Sequence, residues 1–365
     1  MVKNFEKLKK NFENAKIIYK KNNFKSFCVT ITTNTSRDNK GIQVAPLRKI
    51  DDILIFGIII YSTKQLQKIT KIFDKNIDVI FVDSEKKIPF NIGNKFRDNF
   101  KEKKNILSNE FVEFGNLTTV LKSTVKKIPI LEFKPNDITV EHVWLMLRNH
   151  FKILSKKKIA IIGAGNIGFK LAFKLVESGV TVNLYRRNFE KCTYMTNIIN
   201  IIKPVSTLAE AIFSNSPARA CYGVDAIIGC ANEKGVIKSE FLKLMKPGGI
   251  LIDVGKGNIN KKAIDYAKNK KINLLRCDIT ETLNSFIKHN LEYCLKKKIL
   301  YKKISSNISV ICGGYIGKNG SIIVDNCNKP NQVLGVADGA GNFKRSLTNL
   351  DKIKITQLKK IYNII

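Results

Sequence analysis

The chain has 365 residues, and its 64 Lys and Arg against 30 Asp and Glu give a formal net charge of +34. Its content of 44% hydrophobic and 26% charged residues is typical of a globular protein and excludes a disordered or fibrous chain. The length predicts two domains and a small third segment. Only nine of the basic residues are Arg, and the Lys residues are spread along the whole chain, so nucleic acid is not expected as a partner.

Residue patterns near the N-terminus and in the apolar runs predict a cytoplasmic protein. The first 25 residues mix Lys with Glu on an amphipathic helical pattern and contain no uncharged signal-peptide core. The longest apolar run, 53–61, is too short to span a membrane, so no membrane association is expected. The eight cysteines form no CxxC pair, which predicts no metal site and favours free thiols in a reducing compartment.

Residues 1–140 are predicted to form an α/β domain that binds substrate and supplies catalytic groups. After an N-terminal amphipathic helix, apolar stretches alternate with helical patterns, which is typical of parallel βαβ units. The predicted strands lie at 27–33, 53–61, 77–82 and 128–133, with a helix at 62–73. Asp137 is predicted to be the N-cap of a further helix at 138–148.

Residues 141–305 are predicted to form a Rossmann domain with a doubly wound parallel sheet, so the fold class is α/β with two domains. Its predicted strands lie at 159–162, 180–185, 225–230, 250–254 and 274–278. The remaining segment, 306–365, is predicted to be a Gly-rich β extension with strands at 321–325 and 332–336 and a C-terminal helix. This extension is expected to return to the N-terminal domain.

The strongest functional signal is a glycine turn that follows an apolar strand and opens an amphipathic helix, as the dinucleotide-binding fingerprint requires. Gly163 permits the tight turn, Gly165 lets the backbone approach a pyrophosphate, and Gly168 lets the helix pack close to the strand. The helix N-terminus then offers N–H groups to the phosphates. The predicted cofactor-binding residues of the turn are Gly163, Ala164, Gly165, Asn166, Ile167 and Gly168.

The second strand of this unit indicates which dinucleotide is bound. An NAD site usually has Asp or Glu at the end of this strand, where it binds the ribose 2′-OH. Here the strand ends in Arg186, Arg187 and Asn188, and the paired guanidinium groups would bind a 2′-phosphate with charge-assisted hydrogen bonds. NADP is therefore the predicted cofactor, with NAD as second choice. The alternative is that the two arginines only cap an exposed loop.

The glycine turn together with Arg186, Arg187 and Asn188 resembles the NADP-binding domain of shikimate dehydrogenases. Residues 224–232 and 245–255 are similar to the second Rossmann half that shikimate dehydrogenase shares with methylenetetrahydrofolate dehydrogenase, glutamyl-tRNA reductase and S-adenosylhomocysteine hydrolase. The resemblance covers about residues 128–285. In those families this half lies against the nicotinamide, which implies cofactor contacts from Cys230, Ala231, Asn232, Val254 and Gly255.

Hydride transfer to a carbonyl or imine needs a proton donor, which the cleft between the two domains should supply. Asp83 and Lys86 lie at and just after the end of a predicted strand, and Asp137 precedes the predicted helix. In shikimate dehydrogenases an Asp at the place of Asp137 pairs with a Lys of the N-terminal domain, which implies that Lys86 is its partner. The intervening Thr of that family's Asn-Thr-Asp segment is missing here. A capping role for Asp137 and a surface role for Lys86 are the alternatives.

The sequence therefore predicts an NADP(H)-dependent oxidoreductase that transfers hydride to or from a carbonyl or imine of a small anionic or polyol substrate, similar to shikimate dehydrogenase. One alternative is a hydrolase or lyase that retains its dinucleotide, as S-adenosylhomocysteine hydrolase does. A second is a non-catalytic NADP-binding protein, and a third is a nucleic-acid-binding protein. The expected partner is a small-molecule substrate, and a homodimer is the common state of this class.

Overall fold

The computed structural model describes residues 2–33, 41–73, 76–85, 117–295 and 299–364. The chain falls into two compact units, Met1–Lys288 and His289–Ile365. The first unit contains two six-stranded sheets, and the second contains a four-stranded sheet. The domain boundaries at 140 and 305 stay predictions.

The N-terminal sheet of the first unit is built largely from parallel strands. Its elements are α1 (Val2–Lys21), β1 (Ser26–Thr33), β2 (Gln43–Val44), β3 (Arg48–Ile50), β4 (Ile53–Ile60), α2 (Thr63–Ile69) with a 3₁₀ turn at Thr70–Ile72, β5 (Val79–Asp83), α3 (Leu117–Thr124) and β6 (Ile130–Phe133). The strand order is β2-β4-β1-β5-β6, with β3 also paired to β4. Strands β4, β1, β5 and β6 are parallel, so Thr33, Asp83 and Phe133 lie at one edge of the sheet.

The core of this sheet explains why its strands are nearly continuous apolar runs. Strands β1, β4 and β5 are buried along almost their whole length, as in parallel sheets that are covered on both faces. Helix α1 buries one apolar stripe, with Leu8, Phe12 and Ala15 at helical spacing. The ring of Phe12 lies 5.4 Å from that of Phe56 on β4, which ties α1 to the sheet.

The second sheet of the first unit is entirely parallel. Its elements are α4 (Pro135–Phe151), β7 (Lys158–Ile162), α5 (Asn166–Glu177), β8 (Thr181–Tyr185), α6 (Phe189–Ile202), β9 (Ala211–Phe213), α7 (Pro217–Cys221), β10 (Ala226–Gly229), α8 (Ser239–Leu242), β11 (Ile250–Asp253), α9 (Lys261–Asn269), β12 (Asn273–Arg276) and α10 (Thr280–Leu295). The order β12-β11-β10-β7-β8-β9 is that of a doubly wound Rossmann sheet, which confirms the predicted fold class. The strand order reverses between β7 and β10, where such sheets bind ligands.

One local prediction is wrong. Asp137 is not the N-cap of α4, because the helix begins at Pro135 and Lys134 occupies the N-cap position. Proline favours the first helical position, since its fixed φ suits the helix and its missing N–H has no partner there. Asp137 consequently lies in the first turn, where a carboxylate still interacts favourably with the helix dipole.

The second unit has a sheet of four short strands and one helix. Its elements are β13 (Tyr301–Lys303), β14 (Ser309–Cys312), β15 (Ile322–Val324), β16 (Val333–Val336) and α11 (Asn349–Tyr362). Strands β14 and β15 are parallel, and the outer pairs are antiparallel. The two predicted strands correspond to β15 and β16, whereas β13 and β14 were not predicted. The return of this segment to the N-terminal domain stays a prediction.

In the ranges that the structure describes, no helix has both the length and the apolar character needed to cross a membrane.

Candidate active site

The glycine turn between β7 and α5 has the geometry that its sequence predicts. Gly163 adopts a φ of +103°, and a Cβ on it would lie 2.5 Å from the backbone nitrogen of Ala231. A Cβ on Gly168 would lie 2.7 Å from the carbonyl oxygen of Gly163, so this glycine permits close helix packing. A Cβ on Gly165 would have no neighbour within 4 Å. The turn therefore leaves open space in front of the N-terminus of α5, whose first N–H groups have no partner within the helix.

The three polar residues at the end of β8 have different roles. Arg186 donates from Nη1 to the carbonyl oxygen of Ala164 at 2.8 Å and so braces the glycine turn. Arg187 is 81% exposed, and its Nη1 lies 3.1 Å from Oε2 of Glu233. Asn188 caps α6 through its side-chain oxygen. Arg187 is thus the guanidinium that is available for a ligand, because its partner is an exposed carboxylate.

A cleft of about 1430 Å³ lies along the carboxyl ends of the Rossmann strands. This volume exceeds the ~300–1,000 Å³ of typical small-molecule sites and is suited to a dinucleotide. Of the predicted cofactor-binding residues, only Gly168 does not line the cleft. Those that line it are Gly163, Ala164, Gly165, Asn166, Ile167, Arg186, Arg187, Asn188, Cys230, Ala231, Asn232, Val254 and Gly255.

Asn258 organises the far side of the cleft, and the sequence analysis missed it. This residue is only 1% exposed. Its Oδ1 accepts from the backbone N–H of Ala231 at 2.9 Å, and its Nδ2 donates to the carbonyl oxygens of Ala231 and Glu233 at 2.8 and 2.7 Å. A Cβ on Gly255 would lie 2.3 Å from the same Oδ1, which explains the glycine. The sequence signal was the Gly-Lys-Gly-Asn turn that follows β11.

A second cavity of about 760 Å³ lies where the carboxyl ends of the two sheets face each other. It is lined by the ends of β1, β5 and β6 from one sheet and by residues that follow β11 and β12 in the other. Its charged residues are Arg48, Asp83, Lys256, Arg276 and Asp278, and its hydroxyl groups come from Thr30, Thr32, Thr33 and Thr139. Three cations against two carboxylates favour an anionic ligand.

The dinucleotide cleft and the second cavity meet. Thr33, Thr139, Val254 and Lys256 line both of them. Two ligands that occupied the cleft and the cavity would therefore approach each other beside these four residues. Reaction between two bound molecules needs such direct contact.

The three predicted catalytic residues have different outcomes. Asp83 is fully buried and lines the second cavity, where its carboxylate accepts from the backbone N–H groups of Glu85 at 2.9 Å and Thr33 at 3.4 Å. Asp137 pairs with Lys170 and lines a separate cavity of about 460 Å³. Lys86 lies outside the described residues. The structure thus brings Asp83, and not Asp137, to the junction region, while the catalytic roles of all three stay predictions.

Two thiols near the junction are held in the protonated form. Cys230 lines the cleft and Cys277 lines the second cavity. Burial raises the pKa of both thiols, that of Cys277 to about 11. Neither thiol is therefore ionised at neutral pH, and neither serves as a thiolate nucleophile there. The pKa of Asp278 is lowered by its hydrogen bonds with Thr280, with a smaller contribution from Arg48.

Residues 134–294 match the family model of the NAD-binding domain of D-isomer specific 2-hydroxyacid dehydrogenases. This match covers the whole of the second sheet, the glycine turn and the dinucleotide cleft. It confirms three predictions: the NAD(P)-binding Rossmann domain, the NAD(P) cofactor and the assignment of the chain to the NAD(P)-dependent dehydrogenases.

Several solved structures are similar to the chain at low sequence identity. One of the dipicolinate synthase chains from Bacillus halodurans is 13% identical, with coverage of 73% of this chain and 97% of that one and a TM-score of 0.34. Ornithine carbamoyltransferase from Gloeobacter violaceus is 11% identical, with coverage of 71% and 84% and a TM-score of 0.37. A shikimate dehydrogenase in complex with NADP+ is 11% identical, with coverage of 73% and 90% and a TM-score of 0.43. No curated protein matches the chain significantly.

Proposed function

We propose that the protein is an NADP(H)-preferring dehydrogenase that exchanges hydride with a carbonyl or imine carbon of a small anionic substrate. The observation that carries this proposal is the junction of the dinucleotide cleft with a cation-rich cavity at Val254 and Lys256. The cleft is large enough for the cofactor, and the cavity of about 760 Å³ has the volume of a small-molecule site.

The residues of the cleft fit NADP(H). The open space at Gly165 and the N-terminus of α5 would hold the pyrophosphate, because a side chain there would fill the space that the phosphates need. Arg187 would bind the 2′-phosphate after leaving Glu233. The loop that Asn258 clamps would support the nicotinamide end. When bound, the cofactor supplies a hydride donor or acceptor at C4 of the nicotinamide.

The second cavity supports an anionic substrate with hydroxyl or carbonyl groups. Arg48 and Arg276 can form charge-assisted hydrogen bonds with a carboxylate. The threonine hydroxyls of β1 line the same cavity and can bond to either hydroxyl or carbonyl oxygens of a substrate. These groups fit both the anionic and the polyol substrates that the sequence analysis expects.

A pair of glycine variants tests the cofactor part of the proposal. Gly165→Val places a side chain where nothing lies within 4 Å of a Cβ, so the protein should fold while the pyrophosphate loses its space. NADPH fluorescence titration should show tight binding to the wild type and a loss of at least tenfold in the variant. The matched control is Gly313→Val, since Gly313 also has open space around it and lies in the second unit. Equal NADPH affinity of wild type and Gly165→Val would refute the assigned site.

Turnover tests the substrate part. Oxidation of NADPH should be detected with members of a panel of small oxo acids and imino acids, and it should be weak with neutral ketones of the same size. A preference for the neutral compounds would contradict the role given to Arg48 and Arg276.

A further inference from the structure

Lys256 lies in a turn whose backbone is held from several sides. Its φ is +60°, and that of Gly257 is +117°. A lysine in the left-handed region is uncommon and persists only where the surrounding structure fixes it. The carboxylate of Asp253 accepts from the N–H groups of Gly257 at 2.7 Å and Asn258 at 3.3 Å, while the carbonyl oxygen of Gly257 accepts from Gly235. The turn therefore fixes the position from which the side chain of Lys256 extends.

Lys256 is the one cation that lines both the dinucleotide cleft and the second cavity among the described residues. It forms no ion pair with any carboxylate in the described part of the chain. Its ammonium group acts on Cys277, whose pKa burial and Asp278 raise and Lys256 partly lowers. The positive charge is thus close to the junction and is not neutralised there by a carboxylate.

Thr33 provides a second polar group at the same junction. It is 8% exposed, yet its hydroxyl has no hydrogen-bond partner within the described structure. A buried polar group without a partner is destabilising, and such groups in native structures usually bond to a ligand or water. Thr33 also lines both the cleft and the cavity, so a substrate oxygen at the junction would supply the missing partner.

We propose that Lys256 and Thr33 form the binding site for the substrate oxygen, with Lys256 as the proton donor in the reductive direction. This inference rests on the proposed function. Hydride from C4 of NADPH adds to the carbonyl carbon, and the electron pair of the C=O π bond moves to the oxygen. The Lys256 ammonium gives its proton to that oxygen, the substrate is reduced to an alcohol, and NADPH is oxidised to NADP+. Solvent then returns a proton to the lysine.

Binding of oxalate to the protein saturated with NADPH tests this assignment by calorimetry. Oxalate is the probe because its carboxylate oxygens can bond to both Lys256 and Thr33 while carrying negative charge. At pH 7 the wild type should bind oxalate, Lys256→Met should lose at least tenfold in affinity, and Thr33→Val should lose several-fold. Lys262→Met, an exposed lysine on α9, should bind as the wild type does.

Two further variants separate the proton from the charge and from folding. Raising the pH to about 10.5 should weaken oxalate binding to the wild type, because lysine side chains titrate in this region. Lys256→Arg should bind oxalate with little change over the same range, because arginine stays charged. The other cavity cations, Arg48 and Arg276, stay charged as well. Lys256→Gly removes the ammonium group but suits the left-handed backbone, so it should fold and still lose oxalate binding.

The possible failures are distinguishable. Absence of NADPH binding to the wild type would refute the proposed function. NADPH binding without oxalate binding would refute an anion site at the junction. Oxalate binding that is equal in wild type, Lys256→Met and Lys256→Gly would overturn the role of Lys256 alone, and an alkaline loss that persists in Lys256→Arg would assign the titration to another group.

Discussion

Replacement of Asn258 by alanine is expected to destabilise the Rossmann domain and weaken cofactor binding. The side chain makes three hydrogen bonds of 2.7–2.9 Å while only 1% exposed, and its removal leaves the backbone groups of Ala231 and Glu233 without these partners. At about 1 kcal/mol for each bond, the free energy of unfolding should fall by about 3 kcal/mol. A change of this size lowers the Tm of a large domain by roughly 6–12 °C.

The cofactor affinity of the same variant should fall by about tenfold. The loop at Ala231 and Asn232 lines the dinucleotide cleft, and ordering the backbone of one residue costs about 1–2 kcal/mol. Thermal unfolding and NADPH titration measure the two effects. The matched control is Asn269→Ala, which removes an exposed amide at the end of α9. Asn258→Ala and Asn269→Ala with the same Tm and the same NADPH affinity would refute the clamp.

Two further predictions concern charges. Glu233→Gln should tighten NADPH binding by up to about fivefold and leave NADH binding unchanged, because an exposed ion pair such as Arg187–Glu233 is worth at most ~1 kcal/mol; weaker NADPH binding would contradict this. In the second unit, the ammonium of Lys344, with Thr348, lowers the pKa of the Asp351 carboxyl to about 2. The stabilisation from Asp351 is therefore present above its unfolded pKa and is lost as the pH falls toward 2. Thermal unfolding should show Asp351→Asn less stable than wild type at pH 6, with the difference closing at pH 2; a constant difference would count against it.

Long apolar or periodic segments made much of the fold predictable from the sequence. Strands β1, β4, β7 and β8 lie within one or two residues of their predicted positions, because continuous burial leaves a continuous apolar run. Strands such as β2 (Gln43–Val44) and β9 (Ala211–Phe213) were not predicted, because two or three residues are too few to show a period. Their pairing depends on neighbouring strands rather than on their own composition.

The candidate site divides in a similar way. The glycine turn was predictable because each glycine answers a local steric need, as the close approach at Gly163 shows. Lys256 and Asn258 were not identified, because their importance depends on hydrogen bonds to a loop that lies more than twenty residues away in the chain. Asp137 was expected at the substrate cleft, but the structure pairs it with Lys170 of α5, a contact that sequence spacing does not reveal.

Calorimetric titration of the wild-type protein with NADPH and with NADH tests the central claim most directly. A charge-assisted hydrogen bond from Arg187 to the 2′-phosphate is worth about 1.5–3 kcal/mol, less at most ~1 kcal/mol for release of Glu233. The expected result is NADPH binding that is at least several-fold tighter than NADH binding, and the preference should disappear in Arg187→Ala. Failure to bind either dinucleotide, or tighter binding of NADH, would contradict the account.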